Sequence, residues 1–121
     1  MRFFKWMMVA ASLSAPALAQ STEQWSSCQT IIGVSNYLAY ANSVLLTLSP
    51  GISGCNAVDV PGAVMFSVGV DGVTSENINS FLASGYSALL SGKQVSIYYD
   101  NSSATCAGVI ISLGGAAGQC P

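Results

Sequence analysis

The side chains that could do chemistry in this chain form a short list. There is no histidine, the commonest general base and metal ligand near neutral pH. Serines are abundant, yet none stands in a GxSxG turn or beside a candidate base. Five carboxylates are scattered along the chain, at Glu23, Asp59, Asp71, Glu76 and Asp100. Paired carboxylates can run acid/base chemistry, as in glycoside hydrolysis. Here Asp59, Asp71 and Asp100 each neighbour turn residues, a common place for aspartate to hold the backbone. No convergent set is visible, so the expectation is a non-enzyme without catalytic residues or cofactor.

Four cysteines remain, Cys28, Cys55, Cys106 and Cys120. Metal binding would call for close CxxC pairs or histidine, and neither is present, so no metal site is expected. Two structural disulfides in an oxidising compartment are expected instead, with three pairings open. If all four are bridged, no thiol nucleophile is left. Asn101-Ser102-Ser103 matches a glycosylation sequon, a pattern short enough to arise by chance.

The remaining chemical feature is aromatic. Trp25, Tyr37, Tyr40, Tyr86, Tyr98 and Tyr99 combine apolar rings with polar tips. Sugars present both C–H faces and hydroxyls, and rings set among Asn, Ser and Asp suit them. Rings of this kind more often fill a core or a subunit contact.

The opening residues carry Arg2 and Lys5, an apolar run over residues 6–13, and Pro16 before Ala17-Leu18-Ala19. That is the pattern of a signal peptide over residues 1–19, cleaved after Ala19, with one domain over 20–121. The apolar run is too short to span a bilayer, which takes about 20 residues. A secreted or periplasmic protein is expected. Without that segment Lys93 is the sole cation against five acids, a net charge of −4. Nucleic acid and anionic headgroups both need several cations, so both partner classes are rejected and no membrane insertion is expected. Charged residues make up 7% of the chain, against about a quarter in an ordinary soluble domain. Ser, Asn, Thr and Gly must cover the surface, or an oligomer must bury it.

These residues are positioned by a stretch that reads as mainly β. Residues 20–27 are polar and read as an N-terminal arm. An extended run from Thr30 to Tyr40 alternates, with Thr30, Ile32, Val34, Asn36, Leu38 and Tyr40 on one face. Gly33 inside it suggests a bulge or kink; a helix over 37–46 is the rival reading. Strands are expected at 44–49, 63–70, 93–100 and 108–113, with turns at Asn42-Ser43, Pro50-Gly51 and Asp71-Gly72.

Between the third and fourth strands Thr74 or Ser75 can cap a helix. Its apolar stripe is Ile78, Phe81, Leu82, Gly85, Leu89 and Leu90, and Gly92 stops it. Gly85 in that stripe suggests a close approach to a strand.

The order β-β-β-α-β-β is that of a five-stranded OB-fold Greek-key barrel. In such a barrel the loops after strands two and four lie at one end. That favours Cys55–Cys106, leaving Cys28–Cys120 to clamp the chain ends.

A helix ending in a glycine turn, then GKQVSIYYD, a cysteine loop and GVIISLG, resembles the B subunits of bacterial AB5 toxins. The subtilase-cytotoxin and pertussis-like B subunits are the nearest kind. The similarity is best from Phe81 to Cys120 and covers only strand order and Cys55 before that. It implies an OB-fold protomer, a ring of five, an enzymatic A subunit as partner and pockets for host glycans. The family's site centres on a serine in the first strands. This sequence departs from the family there: its Tyr-Ser-Asp-type segment is absent, and Ser35-Asn36-Tyr37 is a loose counterpart. With Tyr98, on the freer face of its strand, these are the candidate glycan-binding residues. The alternative is a stand-alone secreted or periplasmic OB domain that binds a protein partner, as an inhibitor or a surface structural protein.

Overall fold

The structure, a computed structural model, describes residues 22–115 and 119–120. The expected signal peptide and its cleavage point lie outside them. Among the described residues the fold is mainly β, six strands in one sheet with one long helix. The strands are β1 (Glu23–Trp25), β2 (Thr30–Tyr37), β3 (Ser43–Ser49), β4 (Val64–Ser67), β5 (Val95–Asp100) and β6 (Ala107–Leu113). A one-turn helix α1 (Leu38–Ala41) follows β2, and the long helix α2 (Ile78–Ser91) precedes β5. A 3-10 turn (Ala57–Asp59) sits in the loop between β3 and β4.

The sheet order is β1-β5-β6-β4-β3-β2. All neighbours run antiparallel except β4 and β6, which meet in parallel at Met65 and Ala107. The two ends of the sheet also touch. Gln29, just ahead of β2, exchanges both backbone hydrogen bonds with Val95 of β5, at 2.7 and 2.8 Å. The segment running from β1 into β2 therefore tracks β5 with its first part and β3 with its second.

Several expectations change here. The polar arm is a sixth strand: Glu23, Gln24 and Trp25 pair with Asp100, Tyr99 and Tyr98. It is held by ladder pairing and polar side-chain contacts with a single ring contact, Trp25 on Tyr98, so alternation could not reveal it. The extended run ends at Tyr37 and turns through α1. Its simple alternation also fails, because a bulge between Ile31 and Gly33 switches the faces. Ile31 is 2% exposed and Val34 packs on the core, while Ile32 is 58% exposed.

The core gathers Val44, Leu46, Leu48, Val64, Phe66, Val95, Ile97 and Tyr99 from the strands, with Ile78 and Ala88 from α2. Phe66 is fully buried and stacks on Phe81 of α2, ring centroids 4.6 Å apart. Burying one such ring stabilises by about 1.5–3 kcal/mol.

Before α2, Thr74 and Asn77 bind each other reciprocally. The Asn77 N–H donates to Thr74 Oγ1 and the Thr74 N–H to Asn77 Oδ1. Gly92 closes the helix at φ 74°, its N–H donating to the Ala88 carbonyl. Gly85 meets the sheet closely: a Cβ there would lie 3.0 Å from Leu46 and 3.3 Å from Val34. Leu90 departs from the expected stripe, standing 85% exposed near the helix end.

The cysteines pair as Cys28–Cys120 and Cys55–Cys106, the pairing that strand order favoured. On the outer face of β3 the loop before β4 folds back. Its Ala57 and Ala63 bury Leu45, with Tyr37, Val60 and Met65 packed around them. Cys55–Cys106 pins that loop to the segment preceding β6.

Candidate functional site

The residues named from sequence do not form one site. Ser35 is half-buried in β2 opposite Leu45. Asn36 is exposed, and its Oδ1 accepts the Leu38 N–H at 2.9 Å, starting α1. Tyr37 packs into the small cluster of Leu45, Ala57 and Ala63, so its ring is committed to holding the loop. Tyr98 lies on β5, paired with Trp25 on one side and Ile110 on the other. Its register partners lie on β1 and β6, whereas those of Ser35, Asn36 and Tyr37 lie on β3.

What does converge is the arm and the loop after β3. Gln29 is 1% exposed, and its amide joins the two. The Gly51 N–H donates to its Oε1 at 2.8 Å, while its Nε2 donates to Ser27 Oγ at 3.1 Å. This clamp holds open a cleft of about 360 Å³ whose walls include Gln24, Ser26, Ser27, Gln29, Ser53 and Tyr99. The Gln24 amide donates to Tyr99 Oη at 2.7 Å, and Ser26 Oγ accepts the Ile97 N–H at 2.9 Å. Trp25 also borders the cleft, its ring 5.1 Å from that of Tyr98 at a tilt of 51°. A second hollow of about 510 Å³ is lined by residues 50–56 and 61–62 of the same loop. Gly51, Ile52 and Ser53 border both.

The chemistry of the first cleft is amide, hydroxyl and phenol. Such groups bind hydroxylated ligands, and none is a base or nucleophile with an activating partner. Sequence reasoning listed Trp25 and Tyr99 but could not place Gln24, Gln29 or Ser53. Their meeting depends on β1 pairing with β5, across more than seventy residues of chain.

The strand register assembles a second feature. Glu23 and Asp100 are partners, and Asp71 reaches them from the turn after β4. One oxygen from each lies within 4.8 Å of the others, and all three residues are half-buried. Burial holds the Asp71 carboxyl above the usual carboxylate range, and the charge of Asp100, a hydrogen bond with it, and the charge of Glu23 add to that. Asp100 is held below its usual range, first by the Thr22 hydroxyl at 2.6 Å, then by the Ser102 N–H at 2.9 Å. Three such oxygens could contact one hard cation, though calcium takes six to eight oxygen ligands, so water would have to complete the shell.

No protein-family model, curated protein or solved structure matches the chain. Nothing among them identifies an AB5 toxin B subunit. No helix among the described residues is long and apolar enough to cross a membrane. The two disulfides fit an oxidising, extracellular or periplasmic environment.

Proposed function

We propose that this chain is a secreted, non-catalytic glycan-binding domain built on an OB-type barrel. The parallel β4–β6 pair, the helix between β4 and β5 and the Gln29–Val95 bridge support that barrel. In it β2 to β6 are the five barrel strands and β1 extends the first of them.

One observation carries the functional reading. The cleft of about 360 Å³ is lined by Gln24, Ser26, Ser27 and Ser53, whose amides and hydroxyls suit the hydroxyls of a sugar, with Trp25 at its border and the buried Tyr99 at its base. In the toxin-type form of this reading, five copies make a ring, host cell-surface glycans fill the clefts, and an enzymatic subunit rides on the ring. The candidate glycan residues then shift from Ser35, Asn36 and Tyr37 toward the arm, with Tyr98 beside it.

The test is a glycan array probed with the oxidised, leader-free protein and with a Gln24→Ala/Ser53→Ala variant. Selective binding that the variant loses, with its melting temperature held, supports the reading. Binding untouched by the variant moves the site elsewhere, and a blank array removes glycans as ligands. Light scattering on the same sample separates a ring of five from a stand-alone monomer.

A second reading, a stand-alone domain gripping a protein partner, is favoured by the exposed Trp25 ring and Ile110 side chain flanking the half-buried Tyr98 on the outer face of β1, β5 and β6.

A further inference from the structure

Trp25, Tyr98 and Ile110 are register partners across three adjacent strands. Directly opposed side chains stand on the same face of a sheet, so the three form one strip across β1, β5 and β6. Trp25 is 42% exposed and Ile110 44%, with Tyr98 half-buried between them. Side chains two residues apart on a strand share a face. Glu23 and Asp100 therefore continue this same face beyond Trp25 and Tyr98, and Asp71 joins them there.

An apolar strip alone would suit many occupants. The charges select among them. The described residues contain five acids and one cation, Lys93, so a second copy would bring more negative charge to the face. Nucleic acid and anionic lipid are repelled for the same reason. The three clustered carboxylates leave negative potential beside two aromatic faces, and both attract a guanidinium or ammonium group.

We propose that the Trp25–Tyr98–Ile110 strip, with Glu23, Asp71 and Asp100 at its end, docks a cationic protein segment carrying arginine or lysine among apolar residues. This names the partner chemistry for the second reading above; of the strip residues only Trp25 also borders the glycan cleft. The apolar residues of the partner cover Ile110 and the ring edges. Its cation lies over the Trp25 face and reaches the carboxylates. Opposite charges give the encounter its direction, and the strip gives it contact area.

The test uses the oxidised, leader-free protein and Trp25 fluorescence, Trp25 being the sole tryptophan after residue 6. The probes are a blocked Arg-Leu-Arg-Leu-Arg peptide and its Glu-for-Arg counterpart. The arginine peptide is expected to give a saturable change, weakened about tenfold as salt rises from 0.05 to 0.5 M, both rough settings for screening. The glutamate peptide is expected to give none. Asp71→Asn should weaken binding by about threefold or more. Ile110→Lys, at an exposed position away from the carboxylates, should abolish it while leaving glycan binding by the cleft unchanged. Equal binding of both peptides, no saturable binding, or full affinity in Ile110→Lys overturns the proposal. A dimer without peptide that Ile110→Lys dissolves would also overturn it, in favour of a second copy.

Discussion

The ring of Phe66 lies directly over Gly108, so close that a Cβ on Gly108 would sit 2.5 Å from two of its carbons. Phe66 cannot swing away, because Phe81 of the long helix is stacked on it. Gly108→Ala is therefore expected to cost about 1–3 kcal/mol through overpacking. Urea denaturation checks it: an unchanged midpoint would mean that the Phe66–Phe81 stack yields without strain.

Gln29 is a buried amide spanning the arm and the loop after β3. Gln29→Ala leaves the Gly51 N–H without that acceptor and is expected to destabilise by about 1–3 kcal/mol. It should also blunt ligand binding in the cleft, since both walls hang on this side chain. Stability and binding measured on one sample give the answer, and a variant that keeps both would show the clamp to be dispensable.

Val58 adopts φ 52°, in the left-handed region, and is 54% exposed. A β-branched residue there is strained, and nothing buried depends on its side chain. Val58→Gly is expected to stabilise by up to about 1 kcal/mol. A lower melting temperature for the variant would count against that account.

The two carboxylates with shifted pKa values pull stability in opposite directions. The Asp71 value is raised, so the contribution of its protonated form is present at low pH and is lost as pH rises through the raised value. The Asp100 value is lowered, so its contribution is present above the ordinary aspartate value of 3.8 and is lost as pH falls through the lowered one. At pH 7 Asp71→Asn should raise the stability and Asp100→Asn should lower it, each by less than about 1 kcal/mol. Melts from acid to neutral pH decide it: equal shifts at all pH values would exclude ionisation as the cause.

Loss of either disulfide should cost about 2–5 kcal/mol. The Cys28–Cys120 link closes the longer loop, 92 residues against 51, so its removal should cost slightly more. Paired Cys→Ser variants compared by calorimetry would show a reversed order if native strain outweighs loop length.

The legible parts of the fold were those with a local pattern. Val95, Ile97 and Tyr99 alternate and are all buried, and Gly85 marks where the helix meets Leu46 and Val34. The bulge near Gly33 was readable as a break, but not the face switch it causes, because that depends on pairing with β3. Leu90 fits the stripe by spacing alone, yet the sheet does not reach it. The site was less legible than the fold. Tyr37 stands among the glycan candidates because nothing in its own strand shows that residues 57–63 fold back over it. The Glu23–Asp71–Asp100 cluster was hidden because the β1–β5 pairing rests on ladder pairing and polar contacts.

Covalent connectivity follows from the placement of the bridges. Cys28 and Cys55 precede the exposed residues 101–105, while Cys106 and Cys120 follow them. A protease that cuts the backbone there leaves two fragments joined twice. Any single cut between Cys28 and Cys120 leaves them joined at least once. Nicking there thus changes the number of chain ends without releasing a piece, and only a reductant separates the halves.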